Sequence, residues 1–443
     1  MYVTPTNPIA TFIIGVALFA VGRVIIRRIT AAEGGDPWLA KALTACLLLH
    51  LVAAPLQIWV VDHLYGGIAD YTRYDSQGAA LAPGFRHFNF ALQPAQLHGI
   101  VGDGAVSIVA GVVFAIIGIN QAGAFLILSF LAFIGTVHFY RAFTLTFSGA
   151  GSRRYGYLIF FLPTLLFWTS DVSKEAIMMF LLGMTAYACA GILAHRGRGG
   201  YLLIIACSVA GAFIRPNETL LALGGFTIAM LFRPVSPSVR FEGARRTFSL
   251  VFLGIMVGVA IFVTLHYLPG SSNGSLSLTA ISKNNSGAGS GFGSSGISYS
   301  ANPIYYPKDV FVVLFDPLPF NAHGSGEWLE ALENTLVVAV LLTSLRALRI
   351  LPRVAFARPY VMMCLVFTGA FCYSFASLGD LGLITREATV TVPFFLVMLC
   401  IPRGPRHQPP RYVWELRHRA RVARRKAVTR RASLGAPSRA IRT

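Results

Sequence analysis

Charged residues are scarce in this chain of 443 residues. Only 12% of the residues are Asp, Glu, Lys or Arg, whereas a soluble domain carries roughly 25%. Cysteine is rare as well, and its six copies all lie in apolar runs without a Cys-x-x-Cys pair, which argues against a disulfide framework or a cysteine metal site. The sequence also lacks the Gly-x4-Gly-Lys-Ser/Thr pattern of a nucleotide phosphate loop. With 55% hydrophobic residues, the composition predicts a membrane protein.

The positive charge is unevenly distributed. The formal net charge is +19, and thirteen of the 37 Lys and Arg residues follow Pro402, while most of the others occupy short loops between apolar runs. Basic residues in such loops mark the cytoplasmic side of a membrane and favour contact with anionic lipid. We therefore expect membrane lipids, and no nucleic acid, among the partners.

The apolar runs predict an all-α, polytopic membrane protein with about eleven transmembrane helices (10–12). The candidate spans are 9–28, 41–61, 121–142, 154–168, 174–195, 200–214, 218–233, 247–267, 335–350, 359–378 and 387–402. In a cleaved signal peptide the basic residues come before the apolar run. Here Arg23, Arg27 and Arg28 lie at its C-terminal end, so the first run is interpreted as a retained transmembrane helix. Basic clusters that all face the cytoplasm place the N-terminus outside and the C-terminus inside the cell (inner) membrane.

The domain prediction comprises a transmembrane domain, a tail, an interfacial helix and two external loops. Residues 1–402 form the transmembrane domain, and 403–443 form a basic cytoplasmic tail that is predicted to be largely disordered. The apolar stretch 104–119 is interpreted as a helix at the outer interface, because counting it as a span would place Arg141, Arg153 and Arg154 outside. Two external loops follow from this topology, 62–104 and 268–334, and the Gly/Ser/Asn-rich part at 270–300 is predicted to be flexible.

Three carboxylates lie close together in the first external loop: Asp62, Asp70 and Asp75. Ordinary surface charge in a solvated loop would explain them. The functional interpretation is that one of them acts as a general base at the membrane face, where a carboxylate can take the proton of a sugar hydroxyl. The spacing of Asp70 and Asp75 gives no strong argument for a metal, although a divalent cation is compatible with it.

Three isolated cations are predicted on the outer, charge-poor side: Lys174, Arg215 and Arg386. Lys174 stands in the first turn of a helix, where a cation opposes the helix dipole, beside Asp171 and Glu175, which suit that position as capping residues. Each cation alone can be an interfacial side chain that reaches towards water. Together they predict a site for an anionic headgroup, with the phosphate held by all three.

Four motifs in chain order carry a resemblance to a known family. They are D70-xxx-Y74-D75-xx-G78, P163-xLLFW-xS-xxx-K174-E175, R215-P216, and F315-D-P-L-P-F320-NAH followed by E330-ALEN and a late R386…P393. The sequence resembles the GT-C superfamily of membrane glycosyltransferases, in particular a bacterial branch common in actinobacteria and related to protein mannosyltransferases and lipid A aminoarabinose transferases. It departs from that branch at Asp316, where an Arg is usual.

The resemblance implies inverting transfer of a sugar from a polyprenyl-phosphate donor to a glycan, lipid or protein acceptor of the cell envelope. Asp70 would be the catalytic base and Asp75 would orient it, the sugar or a divalent cation. Tyr74, Asp171 and Glu175 would support the site, and no other cofactor is implied. Two alternatives remain open: a polysaccharide polymerase or ligase, and a lipid-linked sugar flippase or other transporter without chemistry.

Overall fold

A computed structural model gives the architecture of the protein. It describes residues 6–64, 67, 69–92, 99–194, 199–233, single helical positions between 247 and 258, and residues 306–320, 322, 325–375 and 381–402. The predicted span 247–267 lies largely outside the described residues. The segment 270–300 and the tail 403–443 lie wholly outside them, so the predictions of flexibility and disorder there stay predictions.

The described residues are helical and contain no β-strand. The helices are, in chain order, α1 (Pro8–Ala32), α2 (Pro37–Leu64), α3 (Asp70–Arg86), α4 (Asp103–Ile117), α5 (Gln121–Phe147), α6 (Ser152–Phe161), α7 (Pro163–Phe167), α8 (Lys174–Leu193), α9 (Gly200–Ile214), α10 (Pro216–Leu231), α11 (Tyr306–Phe315), α12 (Ser325–Thr343), α13 (Leu345–Ala357), α14 (Pro359–Phe375), α15 (Leu381–Ala388) and α16 (Val392–Leu399).

Among these helices, α1, α2, α5 and α8 are long and apolar enough to cross a membrane, and a bent pair formed by α12 and α13 raises the number to five. Large apolar side chains on α1 face outwards, including Ile9, Phe12 and Ile13, which are all more than half exposed. A surface of this kind is stable against lipid rather than water. The protein is therefore membrane-embedded, as predicted, while the count of eleven spans goes beyond what these helices demonstrate.

The centre of the bundle is the close packing of α5 against α8. Gly135 and Gly183 face each other across this contact, and a Cβ atom at Gly135 would overlap the backbone of Met179. Small residues allow two membrane helices to approach until their backbones touch, which maximises dispersion contacts where no hydrophobic effect is available. This pair fixes the position of the α8 N-terminus, where Lys174 and Glu175 lie.

Three of the predicted spans are interrupted helices rather than continuous ones. The span 154–168 is interrupted at Leu162, because Pro163 has no N–H and disfavours a helical conformation in the residue before it. The span 335–350 bends by 70° between α12 and α13, and 387–402 is divided between α15 and α16.

The segment 104–119 forms α4, a helix of 15 residues that packs mainly on α3.

The two ends of α5 have different surroundings. Its first residue, Gln121, donates a hydrogen bond of 2.9 Å to the Asp75 carboxylate. Near its other end, the Thr146 carbonyl accepts a hydrogen bond from Arg358. A helix of 27 residues is about 40 Å long. Arg358, a basic residue between the predicted spans 335–350 and 359–378, therefore lies at the opposite end of the bundle from Asp75.

Candidate functional site

Asp70 and Arg386 form a direct ion pair. Asp70 is the first residue of α3, and Arg386 lies near the end of α15. The Arg386 Nη1 donates to Asp70 Oδ2 over 2.7 Å, and the Asp70 side chain remains 48% exposed. The pair therefore places a guanidinium against a carboxylate that still faces the surroundings of the bundle.

Glu175 connects Arg386 to a second, buried arginine. Its Oε1 accepts from Arg386 Nε at 2.8 Å and from Arg215 Nη2 at 2.6 Å. Arg215 also contacts Glu218, at 2.5 Å, and Glu387. Glu175 and Glu218 have no exposed side-chain surface, and Arg215 keeps only 7%. Arg215 is thus surrounded by three carboxylates in a buried network that joins α8, α10 and α15.

Local sequence rules position both ends of this network. Ser173 caps α8 with its side chain, which accepts from the Ala176 N–H, so that Lys174 and Glu175 fall in the first helical turn. Pro216 cannot continue α9 and instead begins α10, so Arg215 lies at the junction of the two helices. Both features agree with the helix ends predicted from the sequence.

Lys174 belongs to a neighbouring cluster around Asp103. Lys174 Nζ lies 2.7 Å from Asp103 Oδ1, and Arg73 Nη2 lies 2.5 Å from Asp103 Oδ2. The Tyr74 hydroxyl donates to Asp103 Oδ1 at 2.9 Å. Asp103 is the first residue of α4, so this cluster joins α3, α4 and α8. Among the described residues, two cations therefore share one carboxylate here.

Asp75 follows Asp70 on α3 by about one and a half turns, and its side chain is fully buried. Its Oδ2 accepts from Gln121, while its Oδ1 has no hydrogen-bond partner among the described residues. Burial raises the pKa of Asp75 to about 7, and the nearby Asp171 carboxylate adds to that rise, against the opposing hydrogen bond from Gln121. Burial also raises the pKa of Asp171 to about 7, against the attraction of Arg386. These two carboxyl groups therefore change charge near neutral pH.

The structure brings all the predicted site residues to one end of the bundle, but not into one site. Asp70, Glu175, Arg215 and Arg386 form one connected network, whereas Lys174 and Tyr74 meet at Asp103. Asp75 and Asp171 lie beside them without an ion pair among the described contacts. The roles assigned to these residues stay predictions.

Four charged residues escaped the sequence reasoning: Arg73, Asp103, Glu218 and Glu387. Two of them had a local signal, because Glu218 stands three residues after Arg215, and Glu387 directly follows Arg386. A cation near the membrane with acidic neighbours is commonly ion-paired. Asp103 had no such signal, since its partners come from α3 and α8.

The arrangement is suited to acid–base chemistry and to binding charged groups. An exposed carboxylate can accept a proton, and guanidinium or ammonium groups beside it can stabilise negative charge that develops nearby. Within the described part of the chain, no group of three His, Cys, Asp or Glu side chains is placed to hold a metal ion. A small cavity among α8, α9 and α10 measures about 10 Å³, which suits one water molecule rather than a sugar.

The charged side chains, rather than the helical fold, bear on the function, because a fold does not by itself determine a function. No family model, curated protein or solved structure matches the chain.

Proposed function

We propose that the protein is an inverting membrane glycosyltransferase of the GT-C type. It would transfer a sugar from a polyprenyl-phosphate donor to a glycan, lipid or protein acceptor of the cell envelope. The observation that carries the proposal is the contact between the exposed Asp70 carboxylate and Arg386, beside Lys174 and Glu175. A candidate base and candidate anion-binding groups meet there, as the motif resemblance requires.

Asp70 supplies the base in this proposal. The acceptor hydroxyl loses its proton to the Asp70 carboxylate as its oxygen attacks the anomeric carbon from the side opposite the phosphate. The bond between that carbon and the phosphate oxygen breaks, and polyprenyl phosphate leaves with the electron pair. Cationic side chains beside Asp70 stabilise the charge that develops on the departing phosphate. One substitution at the anomeric carbon inverts its configuration.

Charge distribution supports the proposed orientation. Arg153 pairs with Asp36 at the start of α2, whereas Asp70 follows the end of α2. The basic loops and the candidate site thus belong to opposite ends of the same long helix. If the basic end faces the cytoplasm, the site faces the outer side of the cell (inner) membrane. The N-terminus is then outside and the C-terminus inside.

A GT-C-like fold with about eleven spans is part of the same proposal. The pair of α3 and α4 between α2 and α5 corresponds to helices in the first external loop, at 62–104 and 104–119. The shorter helices α9, α10 and α14, the three broken helices and the predicted span 247–267 would complete the set of eleven. Helix breaks at membrane depth are tolerated where neighbouring helices satisfy the free backbone groups.

Transfer of a radiolabelled sugar in proteoliposomes tests the function. The purified protein should form a new glycosidic product from a polyprenyl-phosphate sugar and envelope extract, and Asp70→Asn should abolish it. Asp62→Asn is the matched control, because it removes the same charge from an exposed residue near the same loop. Full activity of Asp70→Asn would favour a polymerase or ligase that does not use this base.

A transporter is the second candidate, and the buried pair of Asp75 and Asp171 favours it. Buried carboxyl groups that can take up and release a proton mark proton pathways in many transporters. The same proteoliposomes distinguish the two functions. Movement of the lipid-linked sugar across the bilayer without any new glycosidic bond would overturn the enzymatic proposal.

A further inference from the structure

The cations of the candidate site differ in how far their charge is already compensated. Arg215 contacts the carboxylates of Glu175, Glu218 and Glu387, and Arg386 contacts those of Asp70 and Glu175. A phosphate arriving at Arg215 would have to displace carboxylates that have almost no access to water, leaving them buried and unpaired. Displacement of this kind is strongly unfavourable.

The cluster around Asp103 has the opposite balance. Arg73 and Lys174 share this one carboxylate among the described residues, and Tyr74 adds a hydroxyl. The side chains are also more accessible: 39% of Arg73, 24% of Lys174 and 25% of Asp103 are exposed. An anion that replaced Asp103 here would meet two cations, and the displaced carboxylate would remain close to water.

The position of this cluster suits the proposed reaction. Arg73 lies three residues after Asp70 on α3, so the two side chains are on the same side of the helix. Lys174 directly precedes Glu175, which contacts Arg386, the partner of Asp70. The cluster therefore lies close to the candidate base, on the same side of α3.

We propose that Arg73 and Lys174 bind the phosphate group of the donor lipid, and that Asp103 occupies their anion position when the lipid is absent. Arg215 is then a positioning residue, which holds Glu175 and through it Arg386. This inference rests on the proposed function and deepens it: it assigns the phosphate subsite to Arg73 and Lys174 and removes Arg215 from direct contact with the donor.

A purely structural ion pair among α3, α4 and α8 is the alternative explanation of the same contacts. The two explanations make opposite predictions for Asp103→Asn. If Asp103 competes with phosphate, its neutralisation frees both cations and strengthens binding of a phosphate lipid. If Asp103 only holds the helices together, the substitution loosens the cluster and weakens or leaves unchanged any lipid binding.

The test is binding of a polyprenyl monophosphate to the full chain in nanodiscs. Arg73→Gln and Lys174→Gln should each weaken binding by about tenfold or more, and Asp103→Asn should strengthen it by a similar factor. Arg86→Gln is the matched control on the same helix, because Arg86 donates to the backbone carbonyls of Phe114 and Ala115 instead. Thermal unfolding of every variant identifies those that fail to fold.

Lys174→Arg is a second variant that keeps the charge and should preserve binding even if Lys174→Gln fails to fold. Polyprenol without phosphate should bind at least tenfold more weakly than the monophosphate.

Unchanged affinity in folded Arg73→Gln and Lys174→Gln proteins would overturn the inference, as would weaker or unchanged binding in folded Asp103→Asn. Its failure can be distinguished from failure of the proposed function. If Asp70→Asn abolishes sugar transfer while these variants bind normally, the enzyme remains and the subsite is wrong. If the variants lose phosphate binding but the wild-type protein forms no product, the subsite remains and the enzymatic function is wrong.

Discussion

Arg386 donates a hydrogen bond of 2.7 Å to Asp70, although 316 residues separate them in the chain. The same guanidinium contacts the buried Glu175, so its orientation is fixed from the opposite side. A planar guanidinium held in this way keeps its donors in a fixed direction. We infer that Arg386 sets the position and electrostatic surroundings of Asp70.

Replacement of Arg386 should therefore impair the proposed transfer. We expect Arg386→Gln to lower kcat by about 100-fold, because Asp70 loses its orienting partner and the developing charge loses a cation. Arg346→Gln is the control, since it removes an equal charge from an exposed position on α13. Sugar transfer in proteoliposomes measures both variants, and equal activity of Arg386→Gln and wild-type protein would contradict the prediction.

Glu175 should be important for stability. Its carboxylate has no exposed surface and contacts two arginines. Glu175→Gln therefore removes a negative charge that balances the buried positive charges of Arg215 and Arg386. Loss of one partner from a buried ion network costs about 3 kcal/mol or more. Thermal unfolding in detergent should show a clear fall in Tm. Glu33→Gln is the control. The ion pair that it removes, with Arg141, is long at 3.7 Å and its side chains are partly exposed, so Tm should hardly change.

The buried Asp75 predicts a pH-dependent stability. Burial raises its pKa to about 7 from an ordinary value of 3.8, so the folded state favours the protonated form and becomes less stable as pH rises through this interval. Asp75→Asn removes that dependence, while its amide oxygen can still accept from Gln121. Its Tm relative to wild-type protein should therefore be about 2 °C or more higher at about pH 8 than at about pH 5.

A constant difference in Tm between Asp75→Asn and wild-type protein across that pH range would contradict the prediction. Asp62→Asn, on an exposed residue, is the control for the removal of one carboxylate. Asp171 faces the same region and titrates in the same interval, so the double substitution with Asp171→Asn should flatten the pH dependence further.

The contact of α5 with α8 predicts a strong effect of one methyl group. Gly135→Ala places a Cβ in the backbone of Met179 and must push the two helices apart, whereas Gly224→Ala meets open space. We expect Gly135→Ala to lower Tm by several degrees or to prevent recovery of folded protein, because overpacking costs about 1–3 kcal/mol. Size-exclusion chromatography and thermal unfolding of the two variants provide the comparison.

Labelling of introduced cysteines tests the proposed orientation. His87 after α3 and Ala150 after α5 are exposed, and the six native cysteines are buried. A membrane-impermeant maleimide added to intact cells should label His87→Cys and should label Ala150→Cys only after the membrane is opened. The reverse pattern would place the candidate site on the cytoplasmic side and would exclude an acceptor on the outer face.

Helix positions and helix ends were largely predictable. The apolar runs gave α1, α2, α5 and α8, since a run of about 20 apolar residues has few alternatives in a membrane. The predicted spans 174–195 and 218–233 begin at or near the first residues of α8 and α10, because capping by Ser173 and the missing N–H of Pro216 act over a few residues. The bend between α12 and α13 was missed, since no proline or glycine stands at the break and Leu345, Leu348 and Ile350 extend the run of apolar residues beyond it.

The sequence by itself determined that this is a membrane-embedded helical protein and which charged residues stand apart from the basic loops. Only the tertiary structure decided how those charges pair: Asp70 with Arg386, Arg215 with three glutamates, and Lys174 with Asp103. The reason is physical. Hydrophobic runs and helix caps depend on neighbouring residues in the chain, whereas the energy of a charge depends on the partners and the burial that distant helices provide.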